Sequence, residues 1–443
     1  MIGIKKDIKA SLIFVTLTIF ICLIIYHSIS FFTLIQPDSD SYLSFSSKYK
    51  ALYPSLLNIC NLLNINIVNV QILLLSISFT YLLFSLKDLQ INKVFILLFL
   101  SFFLLNIYYT SFTKTILTES LFFSFINICL AILIKSQNKN FDNIILGISS
   151  GCIFAIKSVG PIISLPILAF FLYKIRRIDI KAIFFFIVII ITEIFIFNYK
   201  NTQRESVFRQ SVIGKIFIIS SSDNFIINDY PKKYHNIFQD SKLFFNEIKE
   251  FLKDIKNPFL KGELIADYEV VAQYQYKDFI RDESNLYLVE ELKDENLKIF
   301  LDLLRFNHNE LIQLSLSHYI GMWSVGQKYL AIQNQNIKFP MLKMLEKSSG
   351  PMHLSNSEVY KYVQAVFYII FFTFLIFSIL ILFYKNIKNR NLIIFCFFTS
   401  HLYLFSTCFF NIASPRYLMP VLTLIIVGIL LLIDALYKKL NKY

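Results

Sequence analysis

Residues 144–173 read IILGISSGCIFAIKSVGPIISLPILAFFLY, an apolar run of 30 residues interrupted by Lys157, Gly160, Pro161 and Pro166. One membrane helix needs about 20 apolar residues, so the run is either a single overlong crossing or two short arms turning near Lys157 to Pro161. Charge separates the two. A single crossing leaves Lys174, Arg176, Arg177 and Lys181 outside the cell, together with the loop holding Lys385, Lys388 and Arg390, against the positive-inside rule. A hairpin puts both clusters inside. Its arms are short, so a tilted or partly re-entrant pair is expected, a geometry tolerated only where protein covers it.

Elsewhere in the chain, apolar runs of near-spanning length occur at about 11–35, 65–86, 93–109, 115–134, 182–198, 360–384, 391–411 and 416–436. With the hairpin these make about ten membrane passes and leave both termini in the cytoplasm. The 443-residue chain is 56% hydrophobic and only 16% charged, with a mean hydropathy of +0.59. Soluble domains average about 25% charged residues, and disordered chains lie further still from this composition. The expected class is therefore an all-α polytopic membrane protein. The first run follows Lys5, Lys6 and Lys9 but precedes no small-residue cleavage site, so it is expected to be a retained helix rather than a removed signal. Six Cys in a chain of this length do not make a disulfide framework.

The net charge of +13 follows from the same topology. The segments assigned to the cytoplasm hold 17 Lys and Arg against 5 in the short outer segments, and residues 199–359 hold 20 against 21 Asp and Glu. A nucleic-acid partner is thus not needed to explain the basicity. Three parts are expected: a membrane bundle at 1–198, an extracytoplasmic, mainly helical domain at 199–359, and C-terminal membrane helices at 360–443. In the middle part, Leu243, Phe244, Ile248, Phe251, Leu252 and Ile255 fall at helical spacing, with Ser241 ahead as a cap and Pro258 just after. A second amphipathic stretch covers about 283–304. A helix near 309–325, carrying the only Trp, Trp323, is expected at the membrane interface.

An ionisable residue near a bilayer is unfavourable enough to be a functional clue. Outside 199–359 there are nine carboxylates, and five of them lie among the basic loops: Asp7, Asp88, Asp142, Asp179 and Asp434. The other four gather toward the outer face: Asp38 and Asp40 after the first span, Glu119 after the loop between the third and fourth, and Glu193 in the outer third of the seventh. Lys114, Lys157 and Arg416 lie on the same side. Cations there can hold phosphate oxygens, and a carboxylate can take a proton from a hydroxyl, so the set suits transfer of a group from a lipid phosphate. Asp38, Asp40 and Glu119 are also the carboxylates available to a divalent cation, Mg or Mn. Structural readings stand beside these. Asp38-Ser39-Asp40-Ser41 after Pro37 is a good turn and helix cap, Glu119 suits a helix N-terminus, Glu193 can pair inside the bundle, and Lys157 and Arg416 can snorkel. Gly147 and Gly151 have a helix-packing spacing. His27 and His401 read as packing residues, and no Ser or Cys is set beside a His as a nucleophile.

The order of these motifs resembles the bacterial membrane glycosyltransferases of the GT-C superfamily, relatives of protein O-mannosyltransferases and lipid A aminoarabinose transferases. The resemblance rests on Pro37-Asp38-Ser39-Asp40-Ser41-Tyr42 with Tyr53-Pro54 following, on Thr118-Glu119-Ser120, on Phe154-Ala155-Ile156-Lys157-Ser158-Val159-Gly160, and on Arg416-Tyr417-Leu418-Met419-Pro420. It implies a polyprenyl-phosphate sugar donor, a glycan, lipid or protein hydroxyl as acceptor, and action on the outer side of the cytoplasmic membrane. It further implies Asp38 as catalytic base or metal ligand with Asp40 second, Glu119 as the acidic residue of the second outer loop, and Lys157 and Arg416 facing the donor phosphate; Lys114, on the same side, is expected beside them. Tyr42, Glu193 and Tyr417 are expected in support. A flippase or polymerase of surface-polysaccharide assembly is the alternative; a flippase would place ionisable residues through the midplane, where His401 is the main candidate.

Overall fold

The computed structural model describes residues 2–28, 35, 37–46, 49–135, 140–200, 207–274, 276, 280, 285–325, 357–411 and 414–440, and among these there is no β-strand. The protein is an all-α polytopic membrane protein. Among the described residues six helices are long and apolar enough to cross a bilayer: Ala10–His27, Ile67–Asp88, Ile180–Lys200, Lys361–Phe383, Arg390–Phe410 and Met419–Leu440. A seventh candidate span is a pair, Lys93–Leu105 and Ile107–Lys114, bent by 55°. Asn106 stands at the bend, where its side chain accepts the Tyr109 backbone N–H at 3.1 Å and so caps the second piece. Three further apolar helices, Glu119–Ile134, Asn140–Ile156 and Pro161–Ile175, are shorter. The last two are the two halves of the 144–173 run, and the chain turns between them at residues 157–160.

The chain divides into two compact units, one of residues 1–204, 372–403 and 419–443, the other of 205–371 and 404–418. The first unit is built from α1 (Ile2–His27), α2 (Pro37–Leu43), α3 (Leu52–Leu62), α4 (Ile67–Asp88), α5 (Lys93–Leu105), α6 (Ile107–Ser111), α7 (Glu119–Ile134), α8 (Asn140–Ile156), α9 (Pro161–Ile175) and α10 (Ile180–Lys200) with C-terminal helical segments. Helix α7 is covered almost all round, from Glu119 and Phe122 to Leu133 and Ile134, and it packs on α4, α8 and Met419–Leu440. A helix apolar on every face belongs in the interior, and this one carries its first-turn Glu119 there. Helices α8 and α10 meet backbone to backbone. A Cβ on Gly147 would lie 2.3 Å from the Ala182 carbonyl oxygen, and one on Gly151 would lie 2.9 Å from Ile189 Cβ. Leu12, Val15 and Ile19 of α1 and Phe184, Ile191 and Phe195 of α10 are exposed, as expected of lipid-facing side chains.

At the end of this unit that carries the basic loops, the carboxylates do structural work. Asp142 accepts from the Tyr81 hydroxyl and from Lys135, both at 2.8 Å. Asp179 accepts the Ala182 N–H at 2.9 Å at the start of α10, and Asp434 accepts the Asn92 N–H at 3.0 Å. His401 packs flat on Phe374, ring centroids 4.1 Å apart, with Nε2 2.9 Å from the Ser378 hydroxyl. It is a hydrogen-bonded packing residue.

The second unit contains α11 (Val207–Ser220), α12 (His235–Lys253), α13 (Pro258–Tyr274), α14 (Leu286–Asp294), α15 (Asn296–Phe306) and α16 (His308–Gly321). Its core gathers Ile213, Phe217, Tyr234, Phe238, Phe245 and Leu264 with residues of α14 to α16. Two expectations change. Helix α12 begins at His235, six residues before the expected cap. Ser241 lies inside it, donating to the Phe217 carbonyl at 3.0 Å instead of capping. Trp323 is fully buried, against Phe371 with centroids 5.2 Å apart, and its carbonyl accepts the Gln364 amide at 3.0 Å. It is a core residue of this unit, not an interfacial anchor, because α16 buries Leu311, Leu314 and Tyr319 against protein. Residues 281–284 and 326–356, parts of the expected amphipathic stretch and of the middle domain, lie outside the described residues.

Candidate functional site

The short helix α2 starts at Pro37, whose fixed φ suits a first helical position, and this sets Asp38 and Asp40 in its first turn. Asp38 is half-buried and accepts the Tyr49 hydroxyl at 3.1 Å. Asp40 is exposed. Between them Ser39 is fully buried and donates to the Ile116 carbonyl at 2.9 Å, which ties the first loop to the second.

Further contacts close this end of the unit. Tyr42 is buried, its ring 4.4 Å from that of Tyr49 and 5.2 Å from that of Tyr53. Burial, followed by the nearby charge of Glu119 and the groups of Tyr49 and Asp38, holds the Tyr42 phenol well above its ordinary pKa, so it stays a neutral hydrogen-bonding group. Tyr53 donates to Gln71 at 3.0 Å, and the Gln71 amide spans the carbonyls of Thr113 and Thr115 at 2.8 and 3.0 Å. Glu193 is buried in α10 and accepts the Ala51 N–H at 3.0 Å, just ahead of α3.

A buried ion pair lies at the turn after α8. Lys157 Nζ lies 2.8 Å from Glu119 Oε1, and the Thr118 hydroxyl is 3.4 Å from the other carboxylate oxygen. Glu119 also starts α7, where helix dipoles favour negative charge. The turn that aims Lys157 requires Gly160, since a Cβ there would come within 2.0 Å of the Ile153 carbonyl oxygen. Lys157 thus holds a specific buried partner rather than snorkelling.

Asp38, Tyr42, Glu119, Lys157 and Glu193 therefore share one end of the first unit. Lys114 is buried at the same end but is directed back to α1, donating to the Tyr26 carbonyl at 2.7 Å. Arg416 and Tyr417 belong to the second unit, in the turn Pro415–Tyr417, with the guanidinium over the Tyr417 ring at 5.3 Å. Among the described residues no group of three or more His, Cys, Asp and Glu is placed to hold a metal ion. The expected set Asp38, Asp40 and Glu119 does not form such a cluster, and Lys157 engages the Glu119 carboxylate that it would need.

Sequence reasoning missed Ser39, Tyr49 and Gln71. Gln71 had a signal, a long amide side chain within a membrane span; Ser39 and Tyr49 had none, because their partners are distant in sequence. It also missed a second buried group, in the other unit. There Lys215 pairs with Glu269 at 3.0 Å, and His318 Nε2 is 3.3 Å from the second Glu269 oxygen, all three withdrawn from solvent. Burial pushes the Glu269 carboxyl up to about 7 despite Lys215, and burial with the charge of Lys215 keeps His318 well below the usual histidine range.

No family model matches the chain, and no curated protein matches it. Among solved structures, ArnT from Cupriavidus metallidurans bound to undecaprenyl phosphate aligns at 11% identity and a TM-score of 0.32, over 96% of this chain and 77% of that one.

Proposed function

We propose that the protein transfers a sugar from a polyprenyl-phosphate donor to a glycan, lipid or protein hydroxyl on the outer side of the cytoplasmic membrane, with both termini in the cytoplasm. The observation that carries this reading is the buried Lys157–Glu119 pair, held at the same end of the bundle as the half-buried Asp38. A helical membrane bundle suits a donor with a long apolar tail, and the four motifs that resemble GT-C enzymes supply three of these residues.

In this reading Asp38 takes the proton of the acceptor hydroxyl. The acceptor oxygen bonds to the anomeric carbon while the bond from that carbon to the phosphate oxygen breaks. The bonding electrons leave with the phosphate, and attack from the opposite face inverts the configuration. Lys157 meets the charge that grows on the departing phosphate, and Glu119 is the positioning residue that holds the ammonium in place. Tyr49 orients Asp38 through its hydroxyl.

The test is Asp38→Asn, with sugar transfer measured in membranes supplied with donor. Loss of a general base predicts a fall of about 10²–10⁴-fold. Unchanged turnover at normal expression overturns the assignment. Mass spectrometry of surface glycolipids and glycans from a deletion strain gives a second reading: loss of one sugar supports transfer, whereas loss of a whole polymer supports assembly or export instead.

A further inference from the structure

At the far end of the first unit from Asp38 and Glu119 lies a cavity of about 770 Å³. The length of α7 separates the two ends, Glu119 at one and Ile134 at the other, which for a helix of this length is about 22 Å. Six cations line the cavity, Lys135, Lys174, Arg176, Lys385, Lys388 and Arg390, against the single carboxylate of Asp88.

Two of the six are already engaged by protein. Lys135 is committed to Asp142 and Tyr81, and Lys174 donates to the carbonyls of Leu133 and Lys135. Among the described residues no carboxylate forms a salt bridge with the other four. Arg390 is informative because its Nε is buried and meets no hydrogen-bond acceptor among those residues. A buried guanidinium nitrogen without an acceptor is unfavourable enough that such groups are normally satisfied. The cavity also has neutral donors in Asn389 and Asn391 and apolar walls from Phe170 and Leu392.

The loop charges alone are explained by topology. A concave site that includes a buried guanidinium nitrogen without an acceptor is not, because topology needs only charge near the membrane and no cavity. We propose that this cavity binds the phosphate of an anionic lipid headgroup, with the acyl chains leaving along the apolar wall. Basic pockets between membrane helices on the cytoplasmic side recognise such headgroups, and the positive-inside rule puts this end in the cytoplasm. The site is separate from the proposed transfer site and does not depend on it.

The experiment uses the full-length protein, delipidated in detergent. Its thermal unfolding midpoint is followed on adding vesicles of phosphatidylglycerol in phosphatidylcholine, vesicles of phosphatidylcholine alone, or inorganic phosphate alone, and native mass spectrometry counts retained lipid. The expected result is a raised midpoint and retained phosphatidylglycerol only with the first. Lys388→Gln/Arg390→Gln is expected to weaken that binding about tenfold or more, and the charge-conserving Lys388→Arg/Arg390→Lys to keep most of it, which covers a glutamine variant that fails to fold. A midpoint raised equally by inorganic phosphate alone overturns the lipid in favour of a soluble phosphate. Equal retention of the two lipids, or binding unchanged in the glutamine variant, overturns the site.

Discussion

The Lys157 ammonium sits 2.8 Å from the Glu119 carboxylate, with side-chain exposures of only 9% and 2%. These two residues are far apart in sequence, one at a helix start and one in the turn between two helices, and neither position would tolerate an isolated charge. Removing one partner of such a pair typically destabilises by about 3–5 kcal/mol, whereas replacing both by residues of similar volume is often near neutral. Lys157→Met alone is therefore expected to lower the yield and the unfolding midpoint of purified protein. Lys157→Met/Glu119→Leu should recover most of the stability, but no transfer activity if the ammonium serves the donor phosphate. A double variant that is both stable and active would make the pair purely structural.

Tyr49 offers a finer probe of Asp38. Tyr49→Phe keeps the ring against Tyr42 and removes only the hydroxyl that donates to Asp38 at 3.1 Å. If it orients the base, kcat falls about tenfold, as for loss of a charge-assisted hydrogen bond, with KM nearly unchanged. A change in KM alone would place Tyr49 in acceptor binding.

The α8–α10 contact should be intolerant of added volume. A Cβ at Gly147 meets the Ala182 backbone, which cannot move aside as a flexible side chain would. Gly147→Ala is expected to destabilise by about 1–3 kcal/mol and Gly147→Leu to abolish folded protein, measured as monodisperse yield in detergent. Because α8 leads directly to Lys157, Gly147→Ala should also depress transfer more than its loss of yield explains.

The buried trio of the second unit predicts a pH signature. His318 is held neutral in the fold and protonates in the unfolded chain below about 6.5, so its contribution is present above that pH and is lost as pH falls. Glu269, raised to about 7, acts in the opposite sense: it keeps its proton in the fold, and its contribution is lost as pH rises from the ordinary carboxylate range toward 7. The two slopes oppose each other, so this trio adds little net pH dependence to wild-type stability over this window. His318→Gln removes one slope, so the variant's stability relative to wild type should decline as pH rises, by at most about 1.4 kcal/mol per pH unit. The one Trp, Trp323, is buried in this unit, so its fluorescence during unfolding measures the effect directly.

Composition and charge were sufficient for the helical class, the membrane, and the break at residues 157–161 where α8 ends and α9 begins, because apolar length and the placement of Lys and Arg are local, additive properties of a chain in a bilayer. The packing role of Gly147 and Gly151 was legible for the same reason. Pairing is not additive. Which carboxylate Lys157 meets, that Ser39 locks the first loop to Ile116, that Lys114 turns back to Tyr26, and that Lys215, Glu269 and His318 converge are all decided by contacts across long separations. Trp323 shows the limit from the other side: its type fitted an interface, but burial depends on the neighbours that cover it, and only the tertiary structure supplies those.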